Sequence, residues 1–446
     1  MEVIRNIDYY LLPIYILLAV IIIRKLKNKL NPDTSTHKIY YIAFSLKVGG
    51  ALLFALIVQY YYGISDSLTY FEQARNLHDN VVDNIWNIKY FFCSLEEYKT
   101  INILANNNIT SVPYDLSGLM TVRITALITF LSFNTFLTTT ILFAIISFLG
   151  MWALYLIFIL KFPLLKKQFA WGILYLPGVI FWSSGILKDT ISMAALGLLF
   201  YSFYQYFIFK KKKVTYPLII SLTVYVIFII KYYIITAFLI TFLVVGVLYI
   251  FFKINPIYKR IILSVMLIIL FCLLIFTKNF ISDNVSKFSI NMITENIERM
   301  QGLYLNNKEA VDGNFSINTI DPSFAGILSK IPWAISTVLY RPFIWESKSI
   351  IMIFSGLENL ILLILSAYVL IRAGVINFFK LMAQNSLVQF CFFFTIIFAM
   401  IVGFTTFNFG TMLRYKVPCI PFYTSFLILV NYYTILKKRS GIIRLI

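Results

Sequence analysis

Two aspartates, Asp66 and Asp189, have the surroundings expected of acid–base catalysts. Asp66 follows an apolar run in the sequence Gly63-Ile-Ser-Asp-Ser-Leu-Thr-Tyr70, and Asp189 follows Lys188 in a short turn between two apolar runs. A carboxylate at a membrane surface, above a cavity, can act as the general base that deprotonates a substrate hydroxyl group. Either residue could instead only cap the helix that it begins. We predict catalytic roles for both aspartates, with helix capping as the structural alternative.

Cationic and aromatic side chains near these aspartates, and in two later segments, are candidates for binding an anionic ligand. Arg341 lies among aromatic residues in the segment Leu339–Glu346, whereas Arg414 and Lys416 lie on a predicted outer turn. Arginine forms paired hydrogen bonds with phosphate or carboxylate, and charges at span ends are often functional. The alternative is that these cations only reach toward lipid phosphates and that the aromatic residues lie among the headgroups. The predicted substrate-binding residues are Tyr70, Glu72, Arg75, Arg123, Lys188, Arg341, Glu346, Arg414 and Lys416.

Three further ionisable residues lie in or beside apolar runs, and the sequence does not identify their partners. Lys47 is in the middle of a run, so we expect it to face the interior of a helix bundle or a watery cavity. Lys231 lies in a short turn from which it could reach the membrane surface. Glu358 is expected near Arg341 or Lys348. Each of the three could also belong to a structural ion pair.

The sequence predicts no metal site. It has two histidines, and its four cysteines (Cys93, Cys272, Cys391 and Cys419) lack the spacing of metal ligands. The acidic residues could hold Mg²⁺ or Mn²⁺, but no motif requires either ion. No cofactor is therefore predicted.

The composition indicates which elements must position these residues. Of the 446 residues, 60% are hydrophobic and only 13% are charged, whereas soluble domains have about 25% charged residues. Apolar runs of about 20 residues recur along the chain, and each is long enough to cross about 30 Å of hydrocarbon. We therefore predict an all-α integral membrane protein that forms a single polytopic domain over 1–446.

The apolar runs predict about eleven transmembrane helices. The net charge of +19 is concentrated in short segments between the runs, which favours a role in topology over nucleic-acid binding. Six of these segments contain more than half of the 38 Lys and Arg residues, so we place them in the cytoplasm, with the N-terminus outside and the C-terminus inside. The predicted spans are 9–23, 40–62, 136–160, 168–184, 190–209, 215–230, 233–252, 261–277, 353–371, 386–404 and 417–436.

The same pattern predicts two large outer loops and one unusual apolar segment. The loops are residues 63–117 and 278–352. Residues 118–133 are apolar but short, and they include Arg123. A full crossing here would place basic cytoplasmic segments outside, so we interpret 118–133 as re-entrant or interfacial. Because the cytoplasmic loops are short and lack phosphate-binding motifs, we expect any chemistry on the outer face.

This layout resembles the bacterial membrane polysaccharide polymerases of the O-antigen and capsule class, and the wider superfamily of GT-C glycosyltransferases. The segment Gly63–Tyr70 looks like the acidic motif in the first outer loop of GT-C enzymes, in which a carboxylate is the catalytic base. The segments Asn408–Lys416 and Ser184–Asp189 look like those of polymerase-like proteins of this class. The resemblance implies polymerisation of polyprenyl-diphosphate-linked oligosaccharide repeat units at the outer face of a bacterial inner membrane. Its partners would be the lipid-linked glycan, the bilayer and a chain-length regulator, and not nucleic acid.

Two other functions also fit the sequence. A GT-C transferase that uses a polyprenyl-phosphate monosaccharide would need similar cations but would bind one phosphate instead of two. A flippase or transporter for lipid-linked oligosaccharide would have related halves with broken helices at mid-membrane. The sequence contains no sign of such paired helices, so an enzyme is the favoured expectation.

Overall fold

The computed structural model describes residues 3–30, 33–104, 113, 115–253 and 324–440, and it contains helices and no strand in these ranges. Two compact units divide the chain, Met1–Tyr232 and Tyr233–Ile446. The predicted span 261–277, Cys272 and much of the second predicted outer loop lie outside the described residues.

Seven helices in the described part of the chain are long and apolar enough to cross a membrane, and a bent pair of helices would make an eighth. The chain is therefore an all-α, multi-pass membrane protein. The expected eleven crossings, their orientation and the identity of the membrane remain predictions. The candidate spans are Asn6–Lys27, Thr34–Tyr62, Phe136–Lys161, Lys188–Ile208, Thr215–Ile250, Ile350–Ala373 and Ser386–Thr405, with the bent pair Phe409–Tyr415 and Ile420–Lys437.

In the described residues before 215, nine helices precede the long helical element at the boundary between the units. They are α1 (Asn6–Leu30), α2 (His37–Ile57), α3 (Asp66–Asp83), α4 (Leu95–Leu104), α5 (Leu116–Thr129), α6 (Phe136–Lys161), α7 (Lys166–Phe169), α8 (Pro177–Trp182) and α9 (Lys188–Phe203). Single π-helical turns, Val58–Tyr62 and Tyr204–Ile208, extend α2 and α9.

Two predicted regions, 168–184 and 215–252, contain a break in the structure, and in the second region the break was predicted. The first is broken into α7, a π-helical turn at Ala170–Leu174 and α8, because Pro177 lacks a backbone N–H group and disfavours helix in the preceding residue. The second was expected as two spans joined at a turn. The helical stretch Thr215–Lys253, which we call α10, has a kink at Lys231 (φ −148°, ψ 71°) that divides it into two helices at the predicted turn.

The described residues of the first predicted outer loop, 63–104 and 115–117 among them, are largely helical. They contain α3, a 3₁₀ segment (Ile85–Phe91) and α4. Helices α3 and α5 pack around a small apolar core, which comprises Ala74, Leu77, Tyr98, Leu119, Val122 and Ala126. Helix α5 has 14 residues, a length of about 21 Å, which is too short for a full crossing. Its re-entrant placement remains a prediction.

Helices α6 and α9 are in close contact in the first unit because glycines face each other. A side-chain carbon on Gly150 would collide with the backbone of Ala194, and one on Gly197 would collide with the backbone of Gly150. Small residues let membrane helices approach through van der Waals contact where no hydrophobic effect draws them together. This contact packs α9, which begins at Lys188, closely against α6.

Within residues 324–440, the described remainder of the second unit, there are six helices. They are α11 (Phe324–Tyr340), α12 (Ile350–Ala373), α13 (Val375–Gln384), α14 (Ser386–Thr405), α15 (Phe409–Tyr415) and α16 (Ile420–Ser440). Aromatic side chains fill its interior; the rings of Phe394 and Phe422, for example, lie 4.7 Å apart. Helices α15 and α16 meet at an angle of 65°.

Candidate functional site

The first cluster of predicted site residues surrounds Lys188. Its Nζ atom donates to Ser117 Oγ at 2.5 Å, lies 3.3 Å from Asp115 Oδ1, and is 5.7 Å from the centre of the Tyr70 ring. Lys188 is the first residue of α9, and Asp115 caps α5 by accepting from Gly118 N at 2.7 Å. The structure thus brings the predicted residues Lys188 and Tyr70 together and adds Asp115 and Ser117. We call these four residues the Lys188 cluster.

The Lys188 cluster lies at the first turns of α5 and α9, with the ring of Tyr70 from α3 beside them. Helix N-termini favour negative charge because their first N–H groups have no partner within the helix. Burial raises the pKa of Asp115, but the charge of Lys188 and hydrogen bonds from Gly118, Lys188 and Ser117 outweigh it, so that the pKa lies below its usual value. The Asp115 side chain is 62% exposed, against 20% for Lys188. An anion arriving from solvent could therefore take the place of this carboxylate beside Lys188.

Asp66 and Glu72 lie on α3 in different environments. The chain turns at Gly63 (φ +69°), Ser65 caps α3 by accepting from Leu68 N at 3.4 Å, and Asp66 is the first helical residue and is exposed. Glu72 is half-buried, and burial raises the pKa of its carboxyl group against the opposing charge of Arg75. Such a shift suits a general base, which works best with a pKa nearer to neutrality.

Arg75 and Arg123 contact backbone carbonyls. Arg75 donates to the carbonyl oxygen of Val3 at 3.3 Å, with its guanidinium 4.7 Å from the Phe71 ring centre. Arg123 donates to the carbonyl oxygens of Cys93 at 2.5 Å and Tyr90 at 3.2 Å. These contacts support a structural role for both arginines, in contrast to the expected contact with substrate.

Asp189 forms a buried ion pair with Lys231. The Asp189 side chain has no exposed surface, and that of Lys231 is 5% exposed. Lys188 and Asp189 therefore have different neighbours, as their adjacency in a helix predicts. The position of Asp189 does not support the catalytic role expected for it. Lys231, expected to reach the surface, instead lies in the interior at the break in α10.

Lys47 faces the interior of the first unit, in agreement with the prediction. Its Nζ atom lies 2.5 Å from Ser183 Oγ and 3.5 Å from Met151 Sδ. Ser183 follows α8 in a buried, non-helical connection to α9. The role of Ser183 was not anticipated, because a serine inside an apolar run gives little indication of its partner.

In the second unit, Arg341 and Glu346 bind each other. The Nε atom of Arg341 lies 3.0 Å and 3.1 Å from the two carboxylate oxygens, and Nη2 also donates to Oε1. Glu346 further accepts from Phe343 N at 2.8 Å, and these bonds hold the pKa of its carboxyl group below the usual value despite burial. The Arg341 guanidinium lies 5.2 Å from the ring centre of Phe409. The segments containing Arg341 and Arg414 are thus neighbours in space.

Lys416 joins the same region through Asn359. Lys416 Nζ donates to Asn359 Oδ1 at 2.6 Å, and Asn359 Nδ2 donates to the carbonyl oxygen of Pro342 at 3.1 Å. Glu358 interacts electrostatically with Lys416, whereas the sequence suggested Arg341 or Lys348 as its partner. Arg414 is partly buried in the last turn of α15. The second unit therefore collects three predicted residues, Arg341, Glu346 and Lys416, around an asparagine that the sequence analysis missed.

No group of three His, Cys, Asp or Glu side chains that could hold a metal ion occurs among the described residues. Cys93, Cys391 and Cys419 are free thiols. The chain was also compared with protein-family models, with curated proteins and with solved structures, and none of these comparisons gave a match.

Proposed function

We propose that this protein polymerises polyprenyl-diphosphate-linked oligosaccharide repeat units by glycosyl transfer on the outer face of a bacterial inner membrane. The observation that carries the proposal is the Lys188 cluster, in which an ammonium group, a hydroxyl group and the N-terminal turns of α5 and α9 meet beside the Tyr70 ring. This arrangement suits a phosphate group at headgroup level, because helix N-termini and a lysine both favour negative charge there.

In the proposed reaction, the lipid diphosphate is the leaving group. Its negative charge increases as the glycosidic bond breaks, and Lys188 stabilises that charge in place of Asp115. A carboxylate on α3 accepts the proton of the attacking sugar hydroxyl. Asp66 is the predicted base, and Glu72 is the second candidate because its pKa is raised.

The test is the glycan profile of a deletion strain that carries variants of the gene, analysed together with its lipid-linked intermediates. We expect the Lys188→Gln variant to give only single repeat units, instead of the ladder of gel bands that glycans of different length produce. The control variant Lys211→Gln, on an exposed basic segment, should keep that ladder. A normal ladder from Lys188→Gln, in protein that accumulates to the usual level, would contradict the proposal. A ladder that is lighter by one sugar per unit would indicate a monosaccharide transferase instead.

The identity of the base is tested separately. We expect Asp66→Asn to abolish extension while the protein still inserts into the membrane. Retained extension in Asp66→Asn together with its loss in Glu72→Gln would assign the base to Glu72. In that case, the rate should rise with pH through the raised pKa of Glu72.

Transport of lipid-linked oligosaccharide is the second candidate, because broken helices occur in each unit. One break, between α8 and α9, faces Lys47; another separates α15 from α16 at Lys416. Discontinuous membrane helices form the binding sites of many transporters. Repeat units that accumulate on lipid inside the cell in a deletion strain would support transport over polymerisation.

A further inference from the structure

Residues 82–92, which connect α3 to α4, expose an apolar surface outside the candidate spans. Trp86 and Phe92 are 79% and 84% exposed, and Val82, Ile85 and Ile88 are each at least half exposed. None of the residues in the 3₁₀ segment Ile85–Phe91 is buried. Water-facing surfaces rarely concentrate so many large apolar side chains, so this surface requires a partner.

The opposite side of this segment is firmly attached to the fold. Tyr90, Phe91 and Cys93 pack against the apolar core of α3 and α5. Arg123 holds the carbonyl oxygens of Tyr90 and Cys93. The exposed side chains therefore project from a fixed support, and their exposure does not result from fraying of the chain.

Contacts along α1 indicate the depth of this region. The ring of His78, near the end of α3, lies 4.4 Å from the ring of Phe130. Asn134, in the turn that follows Phe130, joins the end of α3 to the residue before α1. Its side-chain amide donates to Asp79 Oδ1 at 2.8 Å, and its carbonyl oxygen accepts from Arg5 at 2.5 Å. Since α1 is an apolar candidate span, the end of α3 lies at the level where α1 enters the membrane.

We propose that residues 85–92 dock on the phospholipid bilayer and insert Trp86, Ile88 and Phe92 among its headgroups and upper acyl chains. Tryptophan prefers this interface, and the exposed Lys89 can extend its ammonium group toward lipid phosphates. A second exposed apolar side chain, that of Leu131 at 70% exposure, lies on the turn that contacts the candidate span α1. The proposal is independent of the reaction catalysed.

The test places a fluorophore on this surface. A nitrobenzoxadiazole label is attached to Trp86→Cys in full-length protein whose four native cysteines are alanine, and the protein is reconstituted in phosphatidylcholine–phosphatidylglycerol vesicles. We expect the label to be quenched by doxyl-labelled phospholipid and slow to react with dithionite. The matched control is Asp83→Cys, at the exposed end of α3, where the label should react rapidly and escape quenching.

Equal dithionite rates at positions 83 and 86, without quenching by lipid, would overturn the proposal. Protection at position 86 that depends on protein concentration in lipid-free detergent would also overturn it, because it would assign the surface to a second copy of the chain. A second measurement leaves the cysteines intact. Brominated phospholipid should reduce the tryptophan emission of the unmodified protein by a larger fraction than that of Trp86→Phe.

Discussion

The carboxylate of Asp189 and the ammonium group of Lys231 are buried together, and each would be unfavourable alone in that environment. We predict that Asp189→Asn destabilises the protein by about 3–5 kcal/mol, because it leaves the Lys231 charge without its partner. The double variant Asp189→Asn with Lys231→Met should recover most of this loss. The measurement is thermal unfolding in detergent, with Lys188→Met as the control for a charge removed one residue away. A thermally stable but inactive Asp189→Asn would restore the catalytic prediction.

The pair of Asp115 and Lys188 should make stability depend on acidic pH. The folded protein holds the pKa of Asp115 below its usual value. The ion pair therefore contributes stability above the unfolded carboxyl pKa of about 3.9, and this contribution is lost as the pH falls through the lowered pKa. Unfolding midpoints of the unmodified protein and of Asp115→Asn are measured from about pH 3 to pH 7. The gap between the two midpoints should be constant near neutrality and should narrow in acid. A gap that widens in acid would contradict this assignment.

Sequence alone could identify the ionisable residues but few of their partners. The interior position of Lys47 follows from its place in a long apolar run, because a charge facing lipid is strongly unfavourable. Asp115, Ser117 and Asn359 carry no comparable signal. Each becomes important only because the fold brings it to a lysine 57–73 residues away in the chain.

At the scale of the helices, the contact between α6 and α9 depends on glycine. We predict that Gly197→Ala destabilises the protein by about 1–3 kcal/mol, because the added methyl group would collide with the carbonyl oxygen of Gly150. Gly49→Ala is the matched control: it also lies in a membrane helix, but an added methyl group there meets nothing within 4 Å. Unfolding midpoints in detergent would reveal the difference. Equal effects of the two substitutions would contradict the proposed glycine contact.

Hydropathy predicted where most candidate spans lie, because length and apolar content set that property directly. It did not predict every break in these helices. An apolar window containing Pro177 scores much like one without it, although the proline interrupts the helix. In α10 the sequence did predict the break at Lys231, but it did not predict that Lys231 is buried, because its partner Asp189 lies 42 residues away in the chain.

For the whole molecule, the charge distribution predicts which connections share a side of the membrane. We expect Lys212, in an exposed segment of four lysines, to be cytoplasmic and Ile64, which is 88% exposed after α2, to be external. In cells that express single-cysteine variants on a cysteine-free background, an impermeant maleimide should label Ile64→Cys directly. It should label Lys212→Cys only after the cells are opened. The reverse pattern would invert the predicted orientation.

Because the chain is synthesised from its N-terminus, the two partners of each buried pair are made at different times, and the interval differs between the pairs. Asp189 leaves the ribosome 42 residues before Lys231, so its carboxylate can already be in the membrane when α10 arrives. Lys47 precedes Ser183 by 136 residues, so α2 must enter the bilayer before that hydroxyl group exists. Insertion of α10 should therefore depend on Asp189, whereas insertion of α2 must rely on its own apolar residues until α8 is made.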